Sequence, residues 1–190
     1  MIKNVAIFAS GEGTNAQTII DYFKSSKDVK IALVVSNKST ANVLNRATNN
    51  NIPTLLIDKH SFFETNEVVD FLKKTNIDLI VLAGFLWMIP KNLIVAFPNK
   101  IVNIHPSLLP KFGGKGMYGM HVHEAVIASK EKESGISIHF VNEHYDEGKI
   151  ISQHKCDIQE NDCAEDLAKK IHALEYEHFP KTIENLLLVK

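Results

Sequence analysis

The chain has little cysteine, no long apolar segment and almost no net charge. Only two of its 190 residues are cysteines, which are too few for a disulfide framework and lack the spacing of a metal site. The formal net charge of −1 gives no electrostatic reason to expect nucleic acid or an anionic membrane as a partner. No apolar run approaches the roughly 20 residues that span a bilayer, and the N-terminal run is too short for a signal peptide. We therefore expect a cytoplasmic protein.

The composition that remains is that of an ordinary globular protein. Hydrophobic residues make up 45% of the chain and charged residues 23%, which is typical of globular domains. A chain of this length can bury a sizeable core. Neither a repeat, a low-complexity segment nor a Ser/Gly-rich linker interrupts it. We predict a single domain over residues 1–190.

The first half of the chain alternates short β-rich segments with longer segments of helical periodicity. The predicted strands are residues 5–9, 31–36, 54–57, 79–83 and 101–104, and the predicted helices are 14–24, 41–49, 62–75 and 91–97. Three of these strands are almost continuously apolar, as when helices cover both faces of a parallel sheet. The alternation predicts an α/β fold with a doubly wound sheet.

The pattern changes after Pro110. Residues 111–120 contain four glycines, which indicates a mobile or tightly turning loop. A short helix at 121–129, strands at 136–141 and 149–156, and a long helix at 162–189 are predicted to follow. Pro180 lies inside the last of these and is expected to bend it.

Chemistry is concentrated in the segment Asn103-Ile104-His105-Pro106. Asn103 and His105 are two residues apart, so their side chains share one face of an extended strand. Pro106 disfavours helical geometry at His105, so the pair is expected at a strand end, where open α/β sheets bind ligands. An amide can stabilise an oxyanion and an imidazole can move a proton, which together indicate acyl transfer or a related carbonyl reaction. A buried structural histidine is the alternative.

A glycine-containing loop, Ser10-Gly11-Glu12-Gly13-Thr14-Asn15, joins the first strand to the first helix. Glycines let backbone N–H groups approach an anion, and the helix N-terminus favours negative charge, so a phosphate is the natural ligand. The third glycine of the dinucleotide fingerprint is missing. A tight turn, with Thr14 or Asn15 capping the helix, is equally compatible with this spacing.

Three further segments have a functional and a structural interpretation. Asp146 lies in a loop before Gly148, which is usual for a turn, but its carboxylate could instead orient His105. His121 and His123 could ligate a metal from a strand, yet no third ligand stands out and a helix is predicted there. The apolar-rich segment 82–90 is core-like and could also form the wall of a pocket for a heteroaromatic ring.

The chain closely resembles the folate-dependent phosphoribosylglycinamide formyltransferases over nearly its whole length. The resemblance rests on GEGTN at 11–15, LAGF at 82–85, NIHPSLLP at 103–110 and DEG at 146–148. The third of these motifs indicates the wider formyltransferase superfamily, and the opening loop and short chain indicate this member. The resemblance implies a Rossmann-like, mostly parallel sheet with a late antiparallel strand and a long C-terminal helix.

The resemblance also implies a reaction and a set of site residues. A formyl group passes from 10-formyltetrahydrofolate to the amine of glycinamide ribonucleotide in purine biosynthesis, with Asn103, His105 and Asp146 as catalytic residues and with Asp146 keeping His105 charged. The implied substrate-binding residues are Gly11, Glu12, Gly13, Thr14, Asn15 and Glu175, with His172 one turn before Glu175. The implied folate-binding residues are Leu86, Trp87, Met88, Ile89, Asn103, Asn142, Tyr145 and Asp146. No metal is required by this chemistry, and a monomer or homodimer is expected.

Two departures from other members bear on the site. Glu12 replaces a neutral polar residue of some members and should point to solvent, because its charge would repel a phosphate. Trp87 stands where some members have arginine, which leaves the glutamate tail of the folate without that cation. Three alternatives stay open at this point: a formyltetrahydrofolate hydrolase, another formyltransferase of the superfamily, and a non-catalytic phosphoribosyl-binding module.

Overall fold

The computed structural model describes residues 1–188, which contain a seven-stranded sheet in the order β3-β2-β1-β4-β5-β6-β7. The strands are β1 (Lys3–Phe8), β2 (Val29–Ser36), β3 (Thr54–Leu56), β4 (Leu79–Leu82), β5 (Ile101–His105), β6 (Glu133–Phe140) and β7 (Ile150–Asp157). The helices are α1 (Thr14–Phe23), α2 (Asn42–Asn49), α3 (Glu67–Lys74), α4 (Lys91–Ala96), α5 (Met120–Ala128) and α6 (Ala164–Leu188). The predicted α/β class, the mostly parallel sheet and the long C-terminal helix are confirmed.

The chain divides into two compact units. Unit 1 comprises residues 1–102 together with those from 183 onward, and unit 2 comprises residues 103–182. The prediction of a single domain over residues 1–190 stays a prediction. Within residues 1–188, no helix is both long enough and apolar enough to cross a membrane.

Unit 1 is a parallel α/β arrangement built around β1. This strand pairs in parallel with β2 on one side and with β4 on the other, and β2 pairs in parallel with β3. The residues Val5, Ala6, Ile7 and Phe8 are completely buried, which explains why the strand reads as a continuous apolar run rather than an alternating one. The loop after β1 is therefore fixed by a rigid central strand.

The predicted helix over 62–75 is wrong in its middle. A π-helical turn at His60–Glu64 ends before α3 begins at Glu67, and Thr65 between them is extended. Asn92 Nδ2 donates to the Thr65 carbonyl, and Thr65 Oγ1 accepts a bond from the Glu67 N–H. These side-chain bonds satisfy the backbone groups that a continuous helix would have paired, so the helix breaks there.

Unit 2 contains the antiparallel part of the sheet. β6 pairs antiparallel with β7 from Glu133 opposite Asp157 to His139 opposite Ile150. Ile136 and Ile138 on β6 are fully buried. Pro180 lies within α6, and the predicted last residue of that helix, at position 189, lies outside the described residues. This antiparallel pair carries two polar side chains into the site described next.

Candidate active site

The strand β5 ends at His105, one residue later than predicted, and presents the expected polar pair. Asn103 is half-buried, whereas the other residues of β5 are buried and His105 is only 3% exposed. The extended backbone places both side chains on the same side of the strand. Burial of an imidazole requires hydrogen-bond partners for its nitrogens, and two groups of unit 2 provide contacts.

His105 lies between a loop carbonyl and a carboxylate. Its Nε2 is 2.8 Å from the Phe112 carbonyl oxygen, and its Nδ1 is 3.5 Å from Asp146 Oδ2. A carbonyl oxygen only accepts hydrogen bonds, so Nε2 carries a hydrogen. The structure therefore brings together His105 and Asp146, which are 41 residues apart in sequence and which spacing alone could not pair.

Asp146 is the meeting point of the cluster. Its side chain is 13% exposed, its Oδ2 accepts a bond of 2.9 Å from the Gly114 N–H, and its Oδ1 lies 3.5 Å from Asn103 Nδ2. Burial by itself would raise the pKa of this carboxyl, but contacts with His139, His105 and Gly114 together lower the pKa below its ordinary value. Asp146 is therefore a carboxylate near neutral pH.

Burial and polar contacts act in opposite directions on the pKa of His105. Burial lowers the pKa of the imidazole below its ordinary value, and the Asp146 carboxylate and the Phe112 carbonyl raise it only in part. Removal of the ring from water disfavours the cation, whereas the carboxylate 3.5 Å from Nδ1 favours it. The expectation that Asp146 keeps His105 charged stays a prediction.

Sequence reasoning missed His139. This residue of β6 is 2% exposed, and its Nε2 lies 3.1 Å from Asn103 Nδ2 and 3.6 Å from Asp146 Oδ1. Its Nδ1 donates to the Phe140 carbonyl at 2.9 Å, so its Nε2 is free to accept from Asn103. The sequence contained one signal for this residue, because Ser137 and His139 alternate with apolar residues along β6 and therefore share one face of the strand.

Ser137 fixes the chain that follows β5. Its Oγ donates to the Ser107 carbonyl at 2.7 Å and accepts a 2.9 Å bond from the Leu109 N–H. Gln153 Nε2 also donates to this hydroxyl, at 2.8 Å. The segment after Pro106 is therefore held to the antiparallel pair by buried hydrogen bonds, which keep the loop carbonyl of Phe112 near His105.

The predicted phosphate loop lies in unit 1, between β1 and α1. Gly13 is the N-cap residue of α1 in a left-handed conformation, with φ 70°, and no side chain caps the helix. The alternative of a Thr14 or Asn15 cap is therefore wrong. The first-turn N–H groups of α1 lack a capping side chain, and no acidic residue occurs in that turn. This arrangement suits an anion.

Contacts with α2 hold this loop in place. The Val43 N–H donates to the Gly11 carbonyl at 3.1 Å, and Arg46 Nε donates to the Glu12 carbonyl at 2.7 Å. As predicted, Glu12 is exposed, and its carboxylate accepts a 3.1 Å bond from Asn42 Nδ2. The Glu12 charge is therefore directed toward α2, and a guanidinium lies against the loop backbone.

The predicted folate wall differs in exposure along its length. In unit 1, Leu86 is 43% and Met88 44% exposed, whereas Ile89 is buried. Trp87 packs against Phe62 and Phe63, with ring centroids 5.7 and 5.5 Å away. The residue that replaces an arginine of other members is therefore part of an aromatic cluster.

The unit 2 part of the predicted folate wall is a turn. Asn142 Oδ1 accepts a 2.9 Å bond from the His144 N–H, which forms an Asx turn. Tyr145 is 41% exposed and Asp146 has a left-handed backbone, with φ 55°. Gly148 is required here, because a Cβ would lie 1.6 Å from the Phe140 carbonyl oxygen. This glycine lets the turn close against β6 and thereby places Asp146.

Histidines and a glutamate on two helices of unit 2 complete the predicted residues. Glu175 on α6 is 6% exposed, and His172, one turn earlier, stacks on Tyr176. His121 and His123 lie in α5, not in a strand, so side chains two positions apart point in different directions. Within residues 1–188, no three His, Cys, Asp or Glu side chains are grouped so that they could hold a metal ion.

Comparison with known proteins shows which family the chain is similar to. Residues 3–183 match the family described as formyl transferase. The chain is 43% identical over 189 residues to a chloroplastic phosphoribosylglycinamide formyltransferase of Vigna unguiculata, covering 97% of this chain but 61% of the relative. It therefore spans about three fifths of that plant protein.

Bacterial relatives match over nearly their full length. The phosphoribosylglycinamide formyltransferase of Bacillus subtilis (strain 168) is 36% identical over 192 residues, with 98% of this chain and 95% of the relative covered. The crystal structure of the phosphoribosylglycinamide formyltransferase from Bacillus halodurans superposes with a TM-score of 0.88 at 39% identity, covering 98% of this chain and 96% of that one. The chain belongs to the formyl transferase family, together with the phosphoribosylglycinamide formyltransferases.

Proposed function

We propose that this protein transfers the formyl group of 10-formyltetrahydrofolate to the amine of glycinamide ribonucleotide, a step of purine biosynthesis. The observation that carries the proposal is the cluster of Asn103, His105 and Asp146 at the end of β5. An amide donor, an imidazole and a carboxylate in contact are the groups that acyl transfer through a tetrahedral intermediate requires. Family membership supports formyl transfer to this acceptor, because the relatives are named phosphoribosylglycinamide formyltransferases.

The first step is attack of the neutral amine on the formyl carbon. A carbon–nitrogen bond forms, and the formyl oxygen takes the displaced electron pair. Asn103 Nδ2 and His105 stabilise this oxyanion; such a preorganised contact contributes about 3–4 kcal/mol to the transition state. Loss of a proton from the attacking nitrogen and cleavage of the bond to the folate nitrogen complete the transfer, and the folate nitrogen gains a proton.

The electrostatics of His105 suit a change of protonation during the reaction. Before the reaction, burial lowers the pKa of the ring below its ordinary value. Negative charge that develops on the formyl oxygen favours the imidazolium form, which the Asp146 carboxylate, 3.5 Å from Nδ1, stabilises further. Asp146 thus lowers the free energy of the protonated ring when the oxyanion forms.

Two further sets of residues would bind the substrates. The backbone of Gly11, Gly13 and Thr14 would hold the phosphate of the ribonucleotide, with Glu175 toward its ribose or glycinamide part. Leu86–Ile89 and the 142–146 turn would each contribute to folate binding, largely through backbone groups. We propose a cytoplasmic enzyme that acts as a monomer or homodimer on small molecules, within one formyltransferase domain.

The deciding experiment is a formyl-transfer assay with purified protein. 10-Formyltetrahydrofolate is supplied with glycinamide ribonucleotide, and a matched reaction contains water as the only acceptor. We expect formylated nucleotide in the first reaction and negligible formate in the second. Formate release without nucleotide would favour a hydrolase. Nucleotide binding without turnover would favour a non-catalytic phosphoribosyl-binding module.

A further inference from the structure

We infer that Arg46 is a positioning residue of the Ser10–Asn15 loop and raises the affinity of this loop for the phosphate of the acceptor. The inference rests on the proposed function, because it takes the loop to bind the phosphate of a ribonucleotide. Arg46 acts through the backbone, since it holds the Glu12 carbonyl and thereby directs and polarises the Gly13 N–H. It is outside the set of residues to which the family resemblance gave a role.

Arg46 is the only arginine of the chain, and it lies against the loop. Its Nε donates to the Glu12 carbonyl oxygen at 2.7 Å, which is the short distance of a charge-assisted hydrogen bond. Val43, three residues earlier, shares this face of α2 and is fully buried, whereas Arg46 is half-buried. A direct contact with the loop backbone therefore places the guanidinium, which solvent still reaches.

Helix α2 holds two consecutive carbonyls of the loop. The Val43 N–H donates to the Gly11 carbonyl, and Arg46 donates to the Glu12 carbonyl. Both peptides are trans, and in a trans peptide the C=O and the following N–H point in opposite directions. The Glu12 and Gly13 N–H groups therefore point away from α2. Within residues 1–188, neither of them forms a hydrogen bond with another group.

The orientation of the second peptide depends on Arg46. Consecutive N–H groups that point the same way form a concave site for an anion. Gly13 has a left-handed backbone, with φ 70°, and a glycine adopts positive and negative φ at similar cost. The peptide between Glu12 and Gly13 can therefore rotate more easily than one between two larger residues. The bond from Arg46 to its carbonyl selects the orientation that presents the Gly13 N–H.

The charge of Arg46 strengthens the same donor. An arginine stays protonated throughout the physiological pH range. A cation bound to the carbonyl oxygen polarises the peptide, which makes its N–H a stronger hydrogen-bond donor. In the described part of the chain, residues 1–188, no carboxylate forms an ion pair with this guanidinium. The loop therefore offers a phosphate a polarised N–H on one side of the peptide and an uncompensated positive charge on the other.

Two substitutions separate the hydrogen bond of Arg46 from its charge. The amide nitrogen of glutamine and Nε of arginine are both attached to Cδ, so Arg46→Gln keeps a donor at that position without the charge. Arg46→Met keeps neither. Lys30→Gln is the control for loss of one positive charge, because the exposed Lys30 pairs with Asn4 at the other end of β1 from the loop.

The kinetic test compares two acceptors, glycinamide ribonucleotide and glycinamide riboside, which is the same acceptor without its phosphate. We expect Arg46→Met to raise the KM for the ribonucleotide about thirtyfold and Arg46→Gln about fivefold. The KM for the folate, kcat, the KM for the riboside and all values of Lys30→Gln should stay unchanged. The melting temperature is measured for each variant.

Three kinetic results would overturn the inference. The first is a ribonucleotide KM that is unchanged in folded Arg46→Met. The second is an equal rise for the riboside, which would mean that the phosphate is not involved. The third is an Arg46→Gln variant as impaired as Arg46→Met, which would mean that the donor at Nε has no role. Absence of transfer by the unsubstituted protein would instead overturn the proposed function.

A binding measurement uses the unsubstituted protein and depends on neither turnover nor a variant. Arginine is labelled with ¹⁵N, and the protein then gives a single side-chain Nε–H resonance, because Arg46 is its only arginine. Glycinamide ribonucleotide should shift this resonance, since an anion at the Gly13 N–H strengthens the hydrogen bond on the opposite side of the peptide. The riboside should not shift it. An unchanged resonance at saturating ribonucleotide contradicts the inference, whereas a shift without formyl transfer supports it and contradicts only the proposed function.

Discussion

The Ser10–Asn15 loop of unit 1 and the Asn103–Asp146 cluster of unit 2 present different kinds of chemical group. The loop presents backbone N–H groups, and its shape depends on a left-handed Gly13 and on bonds from α2 to its carbonyls. The cluster presents side chains, and each is held by another side chain or by a loop backbone group. A site made of backbone groups tolerates changes of side chain but not of backbone conformation. A site made of side chains is sensitive to substitution of those side chains.

The largest effect should come from the side-chain site. Asp146→Asn keeps the shape of the residue but removes the charge that stabilises a protonated His105, so kcat should fall about 10³-fold. Steady-state kinetics checks this, and binding of the ribonucleotide should change little. Glu147→Gln, at the exposed neighbouring position, is the control. A near-normal kcat in Asp146→Asn would remove Asp146 from the mechanism.

The side-chain region should also respond to pH, because it contains buried titratable rings. The pKa of His123 is near 4 in the folded protein and 6.5 as its ordinary value. Between these values the unfolded chain binds more protons, so His123 lowers the free energy of unfolding as pH falls from 6.5 to 4, by up to about 3 kcal/mol. Above pH 6.5 its effect is constant.

Urea unfolding at pH 7 and pH 5 tests this dependence. The difference in unfolding free energy between the two pH values should be smaller in His123→Asn than in the unsubstituted protein, because the asparagine does not titrate. His121→Asn should retain the full difference, since it leaves the His123 ring in place. Identical pH dependence in all three proteins would contradict the burial effect.

The Ser10–Asn15 loop should be disrupted by a substitution that changes only its backbone conformation. A Cβ at Gly13 would lie 2.5 Å from Val43 Cγ2, at a φ of 70° that side chains rarely adopt. Gly13→Ala should therefore lower the free energy of unfolding by about 2 kcal/mol and raise the KM for the ribonucleotide. Thermal unfolding and kinetics measure the two effects.

Gly11 provides the matched control for this prediction. A Cβ there meets no atom within 4 Å, and its φ is not in the left-handed region. Gly11→Ala should leave the unfolding free energy unchanged within about 0.5 kcal/mol. Equal losses in the two alanine variants would mean that the loop is sensitive to any side chain, rather than to the conformation of Gly13.

The smallest effect should come from a side chain of the backbone site. Glu12→Gln removes a carboxylate that is exposed and bound to Asn42. Solvent screens such a charge, so the KM for the ribonucleotide should fall by less than about threefold. Kinetics at low and at physiological salt measures this. A fall of tenfold or more would show that the carboxylate acts on the phosphate after all.

The sequence predicted the fold better than the electrostatics of the site. Apolar runs and helical periodicity located the strands to within a few residues, because the burial that creates these patterns is itself what forms the sheet. The break at Thr65 was missed because it depends on Asn92, whose hydrogen bond to the Thr65 carbonyl spans 27 residues. Local periodicity contains no information about such a partner.

The residues of the site were predicted better than the effect of burial on their pKa values. The motif around His105 and the family resemblance gave Asn103 and Asp146, and the structure places these three side chains together. His139 was missed because alternation in a strand shows which residues share a face but not which of them lies in the site. The direction of the pKa shift of His105 could not be predicted, because the extent of its burial, 3% exposed, follows from packing across the whole unit.

The left-handed Gly13 has a consequence for the timing of entropy loss. Because the bonds from α2 and the crowding by Val43 fix the Ser10–Asn15 loop in the ligand-free protein, the chain gives up its conformational freedom there when it folds. A ligand that binds this loop therefore loses no further free energy in ordering it. The association rate should therefore depend on diffusion and charge, with little contribution from rearrangement of this segment.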